Sequence, residues 1–228
     1  MIQWILDRMS IALYLGVAVF AVLGAGFVTY SVVFGVRGLG FDLSQESYLY
    51  TPGGAISNLA VFSHMILGGL IMLLAPLQLI GRLRMRYPRL HRNSGRLIIV
   101  AAIATALGGL IYIALRGTVA GAMMDAGFAL YGALFLAAAV QTLRFARIGD
   151  FERHREWALR LFVLVMGSLI YRLHYTVWYL FTDGLWSTPE LDGPFDQVQY
   201  VAFYLPYLAS LELWFRRQAV PWHLTRRD

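Results

Sequence analysis

The chain of 228 residues contains no cysteine and no lysine, and only 13 of its residues are Asp or Glu. Without cysteine, the protein cannot form disulfides, thiolate metal sites or a cysteine nucleophile. Charged residues make up 14% of the sequence and hydrophobic residues 59%, whereas an average soluble domain has about 25% and about 45–50%. This composition excludes an ordinary soluble domain, and the high hydrophobicity excludes intrinsic disorder.

Six apolar segments are each long enough to cross a bilayer, which takes about 20 residues in a helix. They are residues 11–34, 57–80, 97–115, 120–143, 157–181 and 197–215. Pro76 and Pro206 lie within two of these segments, where membrane helices tolerate proline with a kink. Because little sequence remains outside the segments, we predict an all-α protein: a six-helix transmembrane bundle forming a single domain over residues 1–228.

All 19 basic residues are arginine, and their distribution predicts the orientation. Sixteen lie near the N-terminus, in the loops after the second and fourth spans, and in the C-terminal tail, whereas only Arg37 and Arg116 lie on the other side. The positive-inside rule therefore places both termini in the cytoplasm, which indicates a multi-pass protein of the bacterial inner membrane. Topology and anionic headgroups explain the net charge of +6, so membrane lipids are predicted partners and nucleic acid is not.

A weak internal repeat is present at the starts of the third and fifth spans. The two similar segments are His91-Arg92 followed by Arg96, and His154-Arg155 followed by Arg160. Each follows an inward-running span and opens an outward-running one, so the pattern indicates a duplicated helical hairpin. Coincidence in an arginine-rich chain is the alternative.

Ionisable residues inside a span are costly and are functional candidates by default, and four of them lie toward the outer ends of the predicted spans. His64 and His174 lie seven residues from the outer ends of their spans, or roughly 10 Å deep at about 1.5 Å per residue. Asp125 and Arg172 lie close to the same level. Polar residues from three helices are therefore predicted to share one depth.

Two neutral imidazoles facing each other across a bundle can supply both axial ligands of a b-type haem. We therefore predict His64 and His174 as haem b iron ligands. Gly68 and Gly167 lie near them and would leave room for a macrocycle, although small residues also allow close helix packing. Another cofactor or substrate contact, or a purely structural hydrogen bond, is the alternative for both histidines.

Arg172 and Asp125 have two interpretations each. They could form a buried salt bridge with each other. Alternatively, the Arg172 guanidinium could hold a haem propionate or a quinone oxygen, because its planar fork suits such acceptors. Asp125 could then accept a proton in quinol chemistry.

His91 and His154 lie at the predicted cytoplasmic boundary. They could form a second ligand pair whose arginine neighbours neutralise propionates, or they could belong to basic loops that hold lipid headgroups. Near the inner end of the sixth span, Glu212 lies four residues before Arg216, which predicts an ion pair along one helix surface.

Several of these residues together form a pattern that resembles a known family. They are His64, Gly68, Pro76, Gln78, Tyr87-Pro88, His91-Arg92, Gly95-Arg96, His154-Arg155, Trp157, Arg160 and Arg172. The pattern resembles a bacterial family of predicted multi-pass membrane proteins defined as a domain of unknown function, over about residues 57–180. The family has glycine where this chain has Ala75. The resemblance marks His64, His91 and His154 as important positions, and the arrangement is similar to membrane haem-b cytochromes.

Three functions follow as hypotheses. The first is an integral membrane haem-b protein that passes electrons between quinol, or a periplasmic partner, and another redox site. The second is a non-redox subunit, assembly factor, or lipid- or small-molecule-binding protein of a larger membrane complex. The third is a small transporter that depends on Asp125 or Arg172.

Overall fold

The structure is a computed structural model that describes residue 22 and residues 24–219. These residues form helices connected by short loops, with no strand among them. The helices are α1 (24–40), α2 (Ala55–Gln78), α3 (Gly81–Arg86), α4 (Pro88–Arg116), α5 (Ala122–Ile148), α6 (Phe151–Thr182), α7 (Pro194–Ala202) and α8 (Leu205–Ala219). The prediction of an all-α membrane protein is confirmed.

In the described part of the chain, four helices are long and apolar enough to cross a membrane: α2, α4, α5 and α6. They correspond to the second to fifth predicted spans. The first predicted span, 11–34, lies partly outside the described residues. Arg8 and the tail beyond residue 219 lie wholly outside them. The count of six spans and the cytoplasmic termini therefore stay predictions.

The sixth predicted span, 197–215, is not one continuous helix. It consists of α7 and α8, separated by Phe203 and Tyr204. Pro206 is the second residue of α8, where a proline fits because the first turn of a helix has no partner for its missing N–H. The predicted kink at Pro206 is thus a break between two short helices.

Local sequence explains where the long helices begin and end. Gly149 terminates α5 in the left-handed conformation (φ 79°), which glycine adopts without steric cost. Asp150 caps α6, since its carboxylate accepts a hydrogen bond from the Arg153 backbone N–H at 3.0 Å. At about 1.5 Å per residue, the 29 residues of α4 and 32 of α6 exceed a hydrocarbon layer of about 30 Å. The arginine-rich first turns of both helices can therefore extend beyond that layer.

The chain divides into two compact units, Met1–Arg116 and Gly117–Asp228. The single domain over residues 1–228 stays a prediction. In the first unit, α2 and α4 form a hairpin, and α1 packs on α2. The Phe62 side chain is fully buried beside the rings of Phe34 and Tyr50. A side chain at Gly38 would overlap the Phe62 ring, so glycine permits this close approach of α1 and α2.

In the second unit, α5 and α6 form a hairpin, and α7 and α8 pack against it. The core is aromatic, with the Phe203 ring in contact with those of Tyr131 and Tyr171 at centroid distances of 4.9 and 5.3 Å. The buried Tyr204 hydroxyl donates to the Gly127 carbonyl oxygen at 3.0 Å. This bond joins the break between α7 and α8 to α5.

The two hairpins share one register. His91 and His154 are each the fourth residue of their helix. Buried core residues follow at the same three spacings after each histidine, namely Ile98, Ala102 and Ala106 in α4, and Leu161, Val165 and Leu169 in α6. This agreement is what a duplicated hairpin predicts.

Candidate functional site

His64 is held on α2 by a hydrogen bond to α4. Its Nδ1 lies 2.8 Å from the backbone carbonyl oxygen of Thr105. Because a carbonyl oxygen can only accept, Nδ1 carries the proton and, in the neutral ring, Nε2 carries the lone pair. One tautomer and one ring orientation are therefore specified.

A notch of two glycines in α4 accommodates the His64 side chain. A Cβ atom added at Gly109 would lie 3.1 Å from His64 Nδ1, and one at Gly108 would lie 2.6 Å from the Ala60 carbonyl oxygen. The Thr105 side chain is only 5% exposed, and its hydroxyl has no hydrogen-bond partner among the described residues. A buried hydroxyl without a partner is uncommon. It adjoins the carbonyl that positions His64.

His174 occupies a different environment in the second unit. Its Nδ1 lies 2.9 Å from Gln199 Oε1 on α7, and its Nε2 lies 2.8 Å from the Tyr207 hydroxyl on α8. With Nδ1 donating to the amide oxygen, Nε2 accepts from Tyr207. His174 therefore fastens α6 to both short helices. The sequence analysis did not identify Gln199 or Tyr207 as its partners, since both lie 25 or more residues further along the chain.

The glycine near His174 does not leave open space. A Cβ at Gly167 would lie 2.9 Å from the Tyr131 hydroxyl, because the phenol ring of Tyr131 fills that position. Near His64, a Cβ at Gly68 would lie 3.6 Å from the Thr105 methyl group. The expectation that these two glycines leave room for a macrocycle is therefore wrong for Gly167.

Arg172 and Asp125 do not form the salt bridge that the sequence left open. The Asp125 carboxylate accepts a hydrogen bond from the Thr118 backbone N–H at 2.6 Å, which closes the loop before α5. The exposed Arg172 guanidinium donates to the Ser168 carbonyl oxygen on its own helix at 3.0 Å. Asp125 thus has a structural role at a helix start, and Arg172 presents a cation on the surface of the second unit.

His154 repeats the arrangement of His64. Its Nδ1 donates to the Thr142 carbonyl oxygen on α5 at 2.9 Å, so this ring also carries its Nε2 lone pair when neutral. His91 is half-buried in the first turn of α4, where its backbone N–H donates to the Tyr87 carbonyl oxygen. The structure thus places both histidines at helix starts, as the sequence predicted.

Glu212 pairs with a residue other than Arg216. Its two carboxylate oxygens accept from Nε and one terminal nitrogen of Arg160, at 2.6 and 2.9 Å. The Arg160 side chain is 18% exposed and lies between the rings of Trp157 and Phe215. The predicted Glu212–Arg216 pair is therefore wrong, because α8 packs on α6 and offers Glu212 a closer, bidentate partner.

The most buried carboxylate was missed by sequence reasoning. Asp196 is fully buried and accepts four hydrogen bonds at 2.6–3.0 Å. The donors are the Tyr175 and Ser187 hydroxyls and the Thr188 and Gly193 backbone N–H groups. The Gly193-Pro194 pair could have signalled a helix start with Asp196 in its first turn. The saturated carboxylate fixes the loop between α6 and α7.

No group of three or more His, Asp or Glu side chains suited to a metal ion occurs among residues 24–219. Axial ligation of a haem requires only one or two histidines and is a separate case.

Residues 61–189, more than half of the chain, match a family whose description is "Predicted membrane protein (DUF2306)". The match covers α2 to α6 and includes His64, His91, His154 and His174. No curated protein and no solved structure matches the chain.

Proposed function

The chain belongs to the DUF2306 family of predicted membrane proteins, and on that premise we propose that it binds haem b within the membrane and transfers electrons. Membership of this family indicates a membrane protein but no activity. The cofactor is therefore proposed from the side chains of this chain alone. The observation that supports it is the hydrogen bond from His64 Nδ1 to the Thr105 carbonyl oxygen. Metal-ligating histidines are usually held in this way, with the second ring nitrogen bonded to a carbonyl or carboxylate.

The residues around His64 suit this role. The Thr105 carbonyl keeps the proton on Nδ1, so Nε2 is the ligating atom. The Gly109 notch receives the ring and limits its rotation. A bound haem would supply one-electron chemistry between ferric and ferrous iron, and the chain would set its potential through the ligand and its surroundings.

On the depth reasoning from the sequence, His174 is also proposed as a haem ligand. Gln199 would retain the hydrogen bond to Nδ1, and Tyr207 would have to release Nε2. Arg172 is proposed to hold a propionate or a quinone oxygen, because its guanidinium is exposed on the same helix. Asp125 is proposed to accept a proton in quinol chemistry, and His91 and His154 are proposed as further ligands.

The electron donor is proposed to be a quinol or a periplasmic partner. The protein is proposed to lie in the bacterial inner membrane, with its arginine-rich loops in the cytoplasm. The sign of the charge asymmetry supports this orientation. Reporter fusions at α3 and in the α4–α5 loop test this orientation, since the two positions should report opposite sides of the membrane.

Haem binding is tested by a reduced-minus-oxidised spectrum and pyridine haemochrome quantitation of protein expressed with ample haem. We expect a b-type spectrum from the wild type and its loss in His64→Ala, because the iron loses a ligand. Tyr204→Phe is the matched variant, since it also removes a hydrogen bond from a side chain to a carbonyl oxygen of a neighbouring helix and is not a proposed haem ligand. Loss of the haem signal in His154→Ala but not in His64→Ala would contradict iron ligation by His64.

A colourless, fully folded wild-type protein would reject the haem proposal. Co-purifying subunits would then support the non-redox hypothesis of a subunit or assembly factor. Counterflow in liposomes that disappears in Asp125→Asn or Arg172→Gln would support the transporter hypothesis instead.

A further inference from the structure

The loop from α2 into α4 carries an unbalanced positive charge. Residues 81–96, here called the basic segment, contain six arginines and no acid. No Asp or Glu occurs anywhere between Glu46 and Asp125. The segment is therefore basic without any acid nearby in the sequence.

Five of these arginines have no acidic partner among the residues that the structure describes: Arg84, Arg86, Arg89, Arg92 and Arg96. All five are exposed. The Arg86 Nε donates to the hydroxyl of its neighbour Tyr87 at 3.2 Å. The guanidinium charges of these five arginines are thus exposed to an external anion.

The arginines are arranged along one surface. Arg89, Arg92 and Arg96 follow the i, i+3, i+7 spacing of a single face of α4, over its first turns. Exposed apolar side chains are interleaved with them, including Met85 at 74% and Leu90 at 53% exposed. A surface that combines exposed apolar groups with arginines is typical of the interfacial region of a bilayer.

We propose that the basic segment is a docking surface for anionic phospholipid headgroups. The phosphodiester of such a lipid offers paired oxygens that match the guanidinium fork, and its acyl chains can contact Met85 and Leu90. The segment consists of α3, Tyr87 and the first turns of α4, and it closely follows the end of the membrane-length helix α2, so a headgroup of the same leaflet is within its reach. This inference does not depend on haem binding.

The test compares two triple variants of the full chain in detergent micelles. R84Q/R86Q/R89Q removes three charges from the basic segment. R144Q/R147Q/R153Q is the matched control, because it removes the same charge from exposed arginines of the α5–α6 hairpin. Binding of fluorescent phosphatidylglycerol is measured by anisotropy, with fluorescent phosphatidylcholine as the uncharged comparison.

We expect the wild type to bind phosphatidylglycerol in preference to phosphatidylcholine. The basic-segment variant should lose about a hundredfold in affinity, since one basic residue near an anionic surface is worth roughly fivefold. The control variant should lose much less. Raising the salt concentration should weaken binding by the wild type, a measurement that needs no variant.

Equal losses in the two variants would overturn the proposal, because net charge alone would then explain binding. Unchanged binding in R84Q/R86Q/R89Q would overturn it as well. Inorganic phosphate that competes as strongly as the lipid would show a free-anion site, which also contradicts a lipid-docking surface.

Discussion

At the start of α4, the arginines have no acidic partner in the described chain, whereas at the start of α6 Arg160 pairs with Glu212 and Arg153 lies 3.6 Å from Asp150. Both segments begin with the same His-Arg pair at the same helix position. The difference arises from acids beside the second hairpin's arginines, namely Asp150 and Glu156 within the hairpin and Glu212 on α8. Similar motifs therefore present an open cationic surface in one hairpin and a partly paired one in the other.

The polar side chains inside the two units follow the same division. In the second unit, Asp196, His174 and Tyr204 all bond to neighbouring segments and hold α7 and α8 in place. In the first unit, His64 bonds to the Thr105 carbonyl oxygen, and the buried Thr105 hydroxyl beside it has no hydrogen-bond partner among the described residues. The polar groups just named in the second unit thus hold its helices together, whereas the unsatisfied hydroxyl beside His64 favours that position for a ligand.

The largest effect is expected from Asp196→Ala. It would leave four donors without their acceptor, and each buried unsatisfied group costs about 1–3 kcal/mol. We expect a loss of at least about 3 kcal/mol, measured by unfolding of the detergent-purified protein. Asp192→Ala is the control, because Asp192 is exposed. Equal stability of both variants would show that the Asp196 network is not structural.

A smaller effect is expected from Arg160→Met. The bidentate pair with Glu212 is partly exposed, so solvent screening limits its value, but the stacking on Trp157 is lost too. We expect about 1–2 kcal/mol of destabilisation, against less than about 0.5 kcal/mol for the exposed Arg92→Met. A double-mutant cycle with Glu212→Gln isolates the coupling. Similar losses for Arg160→Met and Arg92→Met would break the comparison of the two hairpins.

The smallest effect on stability is expected from Gly109→Ala. The added methyl would lie 3.1 Å from His64 Nδ1, so the ring must shift by a few tenths of an ångström. We expect about 1 kcal/mol of destabilisation and, if haem is bound, a changed spectrum. Gly81→Ala is the control, since a Cβ there would meet nothing within 4 Å. An unaltered hydrogen exchange rate at His64 and an unaltered spectrum would show that the notch does not position the ring.

The long helices could be predicted because a bilayer demands about 20 apolar residues, and α2, α4, α5 and α6 meet that demand in the sequence itself. Hydropathy could not reveal the break at Phe203 and Tyr204, because both residues are as apolar as their neighbours. Pro206 lies two residues further on, and a proline within an apolar segment predicts a kink.

The sequence pattern singled out His64 and His154 as candidates but not the groups that they contact. Their bonds to the Thr105 and Thr142 carbonyl oxygens depend on which helix faces pair, and every residue carries a carbonyl that could serve. Asp196 drew no prediction, because acids between spans are usually solvated. Its burial follows from four donors that come together only in the folded loop.

The interrupted helix also bears on how the protein is made. With 9 and 15 residues, α7 and α8 are about 14 and 22 Å long, so neither can cross a bilayer alone. Their polar groups find acceptors and donors on α5 and α6, through Tyr204 and Tyr207. During biosynthesis α7 and α8 are therefore expected to settle only after the α5–α6 hairpin, which supplies the Gly127 carbonyl and the His174 ring, is in place.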